Sequence, residues 1–317
     1  MFEITLGIII FIFGTTIMII SSNKAVHHSI KLASAIGISP LIIGLVFVGI
    51  GTNLPEIFNS IISCAWGHGN IDAGDSIGSV LAQITLVLGL IPIVGRSHFK
   101  VDRNEMLIMG GSLIISLFFV FSVIEKGFIT RTNALFLVLS MPIYMMITKI
   151  YSGTKPLEDI QKEMKEPHMK SKYYHLLIAM IGFILVGLGA FVVIQAILLL
   201  SAAYTIPEFT ISFFLAAIGT SLPELVVDLT ALRKKEYKLL IGDIIGSCII
   251  DASLSIGIGQ LFFPQAVSAN LAYISILYTI FAATMVILLV VIRKKVDRKV
   301  GIIFLVIYGL SYLTLLI

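Results

Sequence analysis

The chain has 317 residues, 58% of them hydrophobic and 13% charged, with a mean hydropathy of +1.05. A soluble domain carries about 25% charged residues, so the composition excludes a soluble globular protein and describes an integral membrane protein. The net charge of +4 is small and gives no sign of a nucleic-acid partner; the placement of the charges is more telling. Cys64 and Cys248 both fall in apolar segments and read as small buried side chains, with no disulfide framework.

No Lys or Arg precedes Lys24, so the apolar start lacks the positive n-region of a cleavable signal and reads as a retained first span. A span needs roughly 20 mostly apolar residues. That rule predicts ten, at 2–22, 39–66, 71–91, 105–123, 130–150, 174–200, 206–232, 238–260, 268–292 and 299–316. Behind the first, NKAVHHSIKLASAI at 23–36 is mildly amphipathic and reads as a segment lying along the membrane surface. The connections are short. The longest, 151–173, is a polar run of mixed charge and reads as a linker between halves 1–150 and 174–317, too short for a folded regulatory domain.

Basic residues set the orientation. With the N-terminus outside, 20 of the 22 Lys and Arg fall in inside segments, and only Lys126 and Arg131 fall outside. A wrong span count would scramble this alternation. Ten spans with both termini outside are therefore predicted, in a plasma membrane.

The halves repeat. GTNLPE, Gly51 to Glu56, aligns with GTSLPE, Gly219 to Glu224, at an offset of 168. GDSIGS, Gly74 to Ser79, aligns with GDIIGS, Gly242 to Ser247, at the same offset. Ten of these twelve positions are identical. Five spans per half is an odd number, so the second half enters the membrane upside down. This is the inverted-repeat plan of many secondary transporters, whose substrate site lies near the midplane between the repeats.

Six acidic residues stand out inside the spans: Glu56, Asp75, Glu224, Asp228, Asp243 and Asp251. No Lys or Arg lies at comparable depth. A charge at a helix centre costs about 2.5–3.5 kcal/mol, so six would cost roughly 15–20 kcal/mol by simple addition. Bound cations, protons or cavity water must offset that cost, and each points to a cation pathway. Asp228 carries less weight than the duplicated pairs, because its counterpart is Ser60.

Pro55 has no N–H, so the Gly51 carbonyl loses its helical partner, and Pro223 does the same to Gly219. The expected result is an unwound segment with free carbonyls beside Thr52, Asn53 and Glu56, and again beside Thr220, Ser221 and Glu224. Thr52 and Glu56, four apart, can point the same way. Hard cations take carboxylate, hydroxyl and carbonyl oxygens, and each broken helix offers all three.

These motifs resemble the α-repeats of the Ca2+/cation antiporter superfamily, most closely its Na+/Ca2+ exchanger branch in prokaryotic form. The resemblance covers the whole topology, and in motif detail 39–91 and 207–260. It implies an all-α membrane protein of ten transmembrane helices in two inverted five-helix repeats, with a central diamond of cation sites. It further implies Ca2+ on Glu56 and Glu224, helped by Thr52 and Thr220. Na+ ligands would include Asn53, Ser79, Gln83, Ser221, Ser247 and Asp251, with the carbonyls of Ala217 and Gly49. Spans 1 and 6 would slide across the other eight. Na+ and Ca2+ would be transported cargo, with no cofactor and no obligate protein partner beyond the bilayer.

The sequence departs from the family at Asn53, at Asp75 and Asp243 in the GD pairs, and at Gln83, where Asn or Asp is expected. Close carboxylates hold some protons at neutral pH, so Na+/H+ or Ca2+/H+ exchange stands beside Na+/Ca2+ exchange as an alternative. An intramembrane aspartyl protease would also need two membrane aspartates, but not duplicated sets with Glu, Thr and Ser. A passive channel is the third class. The six histidines, His27, His28, His68, His98, His168 and His175, form no spaced metal set and read as solvated interface residues. Gly182, Gly187 and Gly189 suit close helix packing. RKKEYK and the basic run Arg293 to Lys299 read as inside anchors, with anionic-lipid contact secondary.

Overall fold

The computed structural model describes residues 2–35, 50–152, 172–233, 235 and 237–315. Among them ten helices follow one another. They are α1 (Phe2–Ala35), α2 (Leu54–Ala65), α3 (Gly69–Val94), α4 (Arg103–Ile124), α5 (Arg131–Ser152), α6 (Lys172–Tyr204), α7 (Glu208–Arg233), α8 (237–262), α9 (Ala269–Arg293) and α10 (Arg298–Leu315). Seven of them have the length and apolarity to cross a bilayer on those grounds alone. α5 and α10, with 22 and 18 residues, span about 33 and 27 Å, at or near the hydrocarbon thickness. The predicted start of the second span, 39–49, and most of the linker lie outside the described residues.

One boundary differs from expectation. The 23–36 stretch is not a separate surface segment up to Ala35; α1 runs through it without a break. No Pro or Gly interrupts Ile19 to Ala35, and α6, 33 residues long, is long enough to accompany it. The two helices touch at glycines. A Cβ on Gly14 would stand 3.1 Å from the Gly189 carbonyl, and one on Gly189 would stand 2.6 Å from Met18 Cγ. Gly182 lies equally close to Ala25, whereas Gly187 faces Phe58 at ordinary distance and is not part of the crossing. We expect Gly189→Leu to cost about 1–3 kcal/mol by overpacking, read as a lower melting temperature of the purified protein.

The duplication has a physical axis. Gln83 Nε2 donates to Asp251 Oδ2 at 3.1 Å, and Cys248 Sγ donates to the Val80 carbonyl at 3.7 Å. Each pair is 168 residues apart, the offset of the repeat. A residue meets its own repeat mate only on a two-fold axis, so the axis passes between α3 and α8. Both helices widen there into a π-turn, at Ala82–Val87 and at Asp251–Ser255. The same internal bond recurs in each, from Thr85 Oγ1 to Leu81 O and from Ser253 Oγ to Ile249 O.

Two short straps repeat the symmetry. Phe99–Lys100 pairs antiparallel with Lys295–Val296, and Phe128 bridges Ala266. Shifting Phe99 forward and Val296 back by 168 lands on Val267 and Phe128, one residue from that second bridge. The buried apolar core is built chiefly from α3, α4, α8 and α9. Outward faces such as Ile115, Phe118, Ile184 and Ile292 are exposed and apolar, as lipid contact requires. Helix ends are closed by polar caps. Asp102 accepts the N–H groups of Asn104 and Glu105, and Asp297 accepts that of Val300. That bond, followed by Lys295, holds the Asp297 carboxyl below its ordinary range.

Candidate cation site

α2 begins at Leu54, with Asn53 at its cap and Pro55 in its first turn. α7 breaks at Ser221, where a four-residue helix ends and Leu222 starts the next. The second proline motif therefore interrupts α7, and the first sets α2 off from the turn at 50–53, as the missing N–H groups require. The Gly51 carbonyl, which Pro55 leaves without a helical partner, accepts a hydrogen bond from Ser22 Oγ of α1 at 3.0 Å. The long α1 helix is thus tied to the turn itself.

Around the proline motifs the repeats interlock. Asn53 Nδ2 donates to Ser247 Oγ at 3.2 Å, and Ser79 Oγ lies 3.3 Å from Thr220 Oγ1. Thr220 Oγ1 also reaches Asp75 Oδ1 at 3.2 Å, while Asn59 Nδ2 donates to Asp75 Oδ2 at 2.5 Å. Asp251 takes Gln83 on one oxygen and Ser255 Oγ on the other at 3.1 Å. Residues 53, 75, 79, 83, 220, 247 and 251 of the expected set are thereby buried in three hydrogen-bonded groups, Asn53–Ser247, Asp75–Thr220–Ser79 and Gln83–Asp251, each joining the two repeats. The Ala217 carbonyl receives the Ser221 N–H at 3.2 Å and lies 3.4 Å from Thr220 Oγ1. Thr52 is half-buried, 3.4 Å from Asn53 Nδ2, and Asp243 is half-buried with Oδ2 unpartnered. Gly49 lies outside the described residues.

Glu56 and Glu224 differ from the rest. They are 1% and 0% exposed, and no donor among the described residues stands within hydrogen-bond distance of the four carboxylate oxygens, although the Thr220 hydroxyl lies beside Glu56. Asn53 Oδ1, Gln83 Oε1 and Ser221 Oγ are orphaned in the same way. Glu56 is an electrostatic neighbour of Asp75 and Glu224, and Glu224 of Asp251 and Asp243. No cationic side chain offsets them among the described residues; the ion pairs there, His68–Glu208, Arg293–Asp297 and Lys295–Asp297, all sit at helix ends. Nor do three acidic, His or Cys groups converge as a ready metal cage among the described residues. The arrangement is two bare carboxylates set among amide and hydroxyl oxygens. Leaving such acceptors unpaired in the interior is costly, so a cation, a proton or cavity water must satisfy them.

Three participants are absent from the sequence expectation. Asn59 holds Asp75 and lies one turn after Glu56 on the same face of α2, a spacing that could have revealed it. Asp72, 1% exposed, accepts Gln260 Nε2 at 2.8 Å and Cys64 Sγ at 3.3 Å. Its place three residues before Asp75 was the available signal for it, whereas its partner Gln260, 188 residues away, gave none. The histidines are not all solvated singly. His28 and His175 meet Nδ1 to Nδ1 at 3.0 Å, and His68 pairs with Glu208 at 3.1 Å. α1 and α6 approach closely enough to join the first pair, which their sequence separation concealed.

Known proteins resemble this chain in sequence and fold. The sequence profile of the sodium/calcium exchanger protein family matches residues 6–149 and 174–317. An uncharacterised membrane protein of Methanocaldococcus jannaschii is 30% identical, with 98% of each chain covered. The sodium/calcium exchanger MaX1 of Methanosarcina acetivorans is 25% identical over 96% of this chain and 97% of its own. Among solved structures, the sodium-calcium exchanger NCX_Mj superposes with a TM-score of 0.60 at 28% identity, covering 98% of both chains. The H+/Ca2+ exchanger CAX superposes at 0.75 with 13% identity, covering 97% of this chain and 82% of its own, a likeness of fold. With the profile spanning both repeats and ten helices in inverted halves, the chain belongs to the sodium/calcium exchanger family of membrane cation antiporters, and it is a transporter, not an enzyme.

Proposed function

We propose that the protein exchanges Na+ for Ca2+ by alternating access, through a midplane site centred on Glu56 and Glu224. The observation that carries this reading is the four unpartnered carboxylate oxygens at the paired proline motifs, with no cationic side chain near them among the described residues. Thr52 and Thr220 complete the Ca2+ set. Asn53, Asp75, Ser79, Gln83, Ser221, Asp243, Ser247, Asp251 and the Ala217 carbonyl serve the monovalent ions. α1 and α6 move as one unit across the site, a role favoured by their long glycine-lined contact, and the Ser22–Gly51 bond is one that such a movement has to break. We further infer two repeats, 1–150 and 174–317, joined by an inner linker at 151–173, with both termini outside a prokaryotic plasma membrane. The basic-residue alternation supports that orientation.

A second reading rests on Asp75 and Asp243. Both are acids beside the central carboxylates, and the surplus charge favours proton coupling, as Na+/H+ or Ca2+/H+ exchange. One experiment separates the two. Purified protein in sealed liposomes is given a Na+ gradient, and Ca2+ uptake and internal pH are followed together. Na+-driven Ca2+ movement with little pH change is expected. A Na+-driven pH change that persists without Ca2+ would replace this reading with proton exchange.

A further inference from the structure

Two buried carboxylates lie outside that central set. Asp72 of α3 has Oδ1 unpartnered, and Asp228 of α7, 0% exposed, has both oxygens unpartnered among the described residues. Asp72 lies three residues before Asp75, about 4.5 Å along the helix, and Asp228 four after Glu224, about 6 Å along. Each is the electrostatic neighbour of its own half's GD aspartate: Asp72 of Asp75, and Asp228 of Asp243.

The internal repeat gives these positions meaning. Asp75 and Asp243 are repeat mates. Ser60 is the mate of Asp228, and Leu240 is the mate of Asp72. Ser60 and Asp72 face each other in the first half. In both halves, then, the layer beside the GD aspartate holds one carboxylate, supplied by α3 in one and by α7 in the other. Because the halves are inverted, the two layers lie on opposite sides of the centre. Asp72 is on the side of the 66–68 turn, where Cys64 and Gln260 meet it, and Asp228 is on the side of Arg233. A purely structural role fits Asp72 in part, since it lies in the first turn of α3, where a helix favours an anion. It does not fit Asp228, which is beyond the first turn of its helix segment and accepts no hydrogen bond among the described residues. Duplicated sequence ancestry does not account for the matched layers either, because the acids arise at non-equivalent positions.

We propose that Asp72 and Asp228 are cation-binding stations, one on each side of the central site, that pass the partly hydrated transported cation between that site and the water on their own face. The proposal rests on the central-site reading above. Gln260 is held in place by the Gln265 N–H on its own oxygen at 2.8 Å, so its amide orients the Asp72 carboxylate and leaves one oxygen for the ion.

The test is a sided transport assay in vesicles where the protein has one orientation, with the Ca2+ half-saturation measured separately from each face. Asp72→Asn is expected to raise it about tenfold from the face of the 66–68 turn and less than twofold from the other, about the size of one carboxylate–cation attraction. Asp228→Asn is expected to do the reverse. Asp72→Glu and Asp228→Glu should recover most of the affinity on the affected face. If Asp72→Asn does not fold, Asp228→Asn and the two Glu variants still decide the matter. Equal changes at both faces, or no change from either, overturn the proposal. If Glu56→Gln abolishes transport while these variants behave alike at both faces, only the stations fall. If Glu56→Gln transports normally, the central reading falls instead.

Discussion

Replacing Glu56 or Glu224 by Gln is expected to abolish exchange, lowering Ca2+ flux by at least about a hundredfold, equivalent to about 3 kcal/mol. Gln keeps the size of the side chain but removes one of two charges that face each other without a counter-ion. It also replaces an acceptor with an amide N–H2, which a cation repels. The measurement is Na+-driven Ca2+ uptake into liposomes. A melting temperature at or above that of the parent protein would separate lost binding from lost folding. A higher value is the expected one, because the substitution takes a bare buried carboxylate out of a low-dielectric interior. Near-normal flux in either variant would remove Glu56 and Glu224 from the centre of the site.

A different kind of loss is expected at Gly78, where the repeats touch backbone to backbone. A Cβ there would run into the Phe213 carbonyl and stand 2.9 Å from the Ala217 Cβ. Gly74, one turn earlier, meets the Phe209 carbonyl in the same way. Neither carbonyl can swing aside as a flexible side chain would, because both belong to α7. Gly78→Val should therefore cost about 3 kcal/mol or more and sharply reduce folded protein, read by size-exclusion elution and thermal melting in detergent. Gly111→Ala on α4, where a Cβ meets nothing within 4 Å among the described residues, is the control and should be near neutral. The close approach has a functional consequence: it brings Ser79 of α3 within 3.3 Å of Thr220. A bulkier residue at 78 would hold the two halves of the site apart.

Much of this was readable in the chain. The ten spans followed from hydropathy and the alternation of basic residues. The inversion followed from an odd number of spans per repeat. The break in α7 followed from Pro223 and the turn that opens α2 from Pro55, and Glu56 and Glu224 stood out because an unpaired acid in a membrane span is costly. What escaped depended on distance between segments. Hydropathy ends the first span near Lys24, but α1 continues because α6 accompanies it. Asn59 and Gln260 are ordinary polar residues until α2 and α8 bring them to Asp75 and Asp72. The meeting of Gln83 with its own mate Asp251 depends on where the symmetry axis falls, which the 168-residue offset does not specify. The π-turns that seat both residues carry no proline or glycine of their own within Ala82–Val87 or Asp251–Ser255, and so gave no local sign.

The most direct measurement is a crystal of the transport-competent protein soaked with Sr2+, an anomalous scatterer that mimics Ca2+. A peak between Glu56 and Glu224, displaced by rising Na+ and absent in Glu56→Gln, is the predicted result. A strong peak elsewhere in the protein, or none at this position in crystals of protein that carries Sr2+ across liposomes, would contradict a cation site at the paired proline motifs.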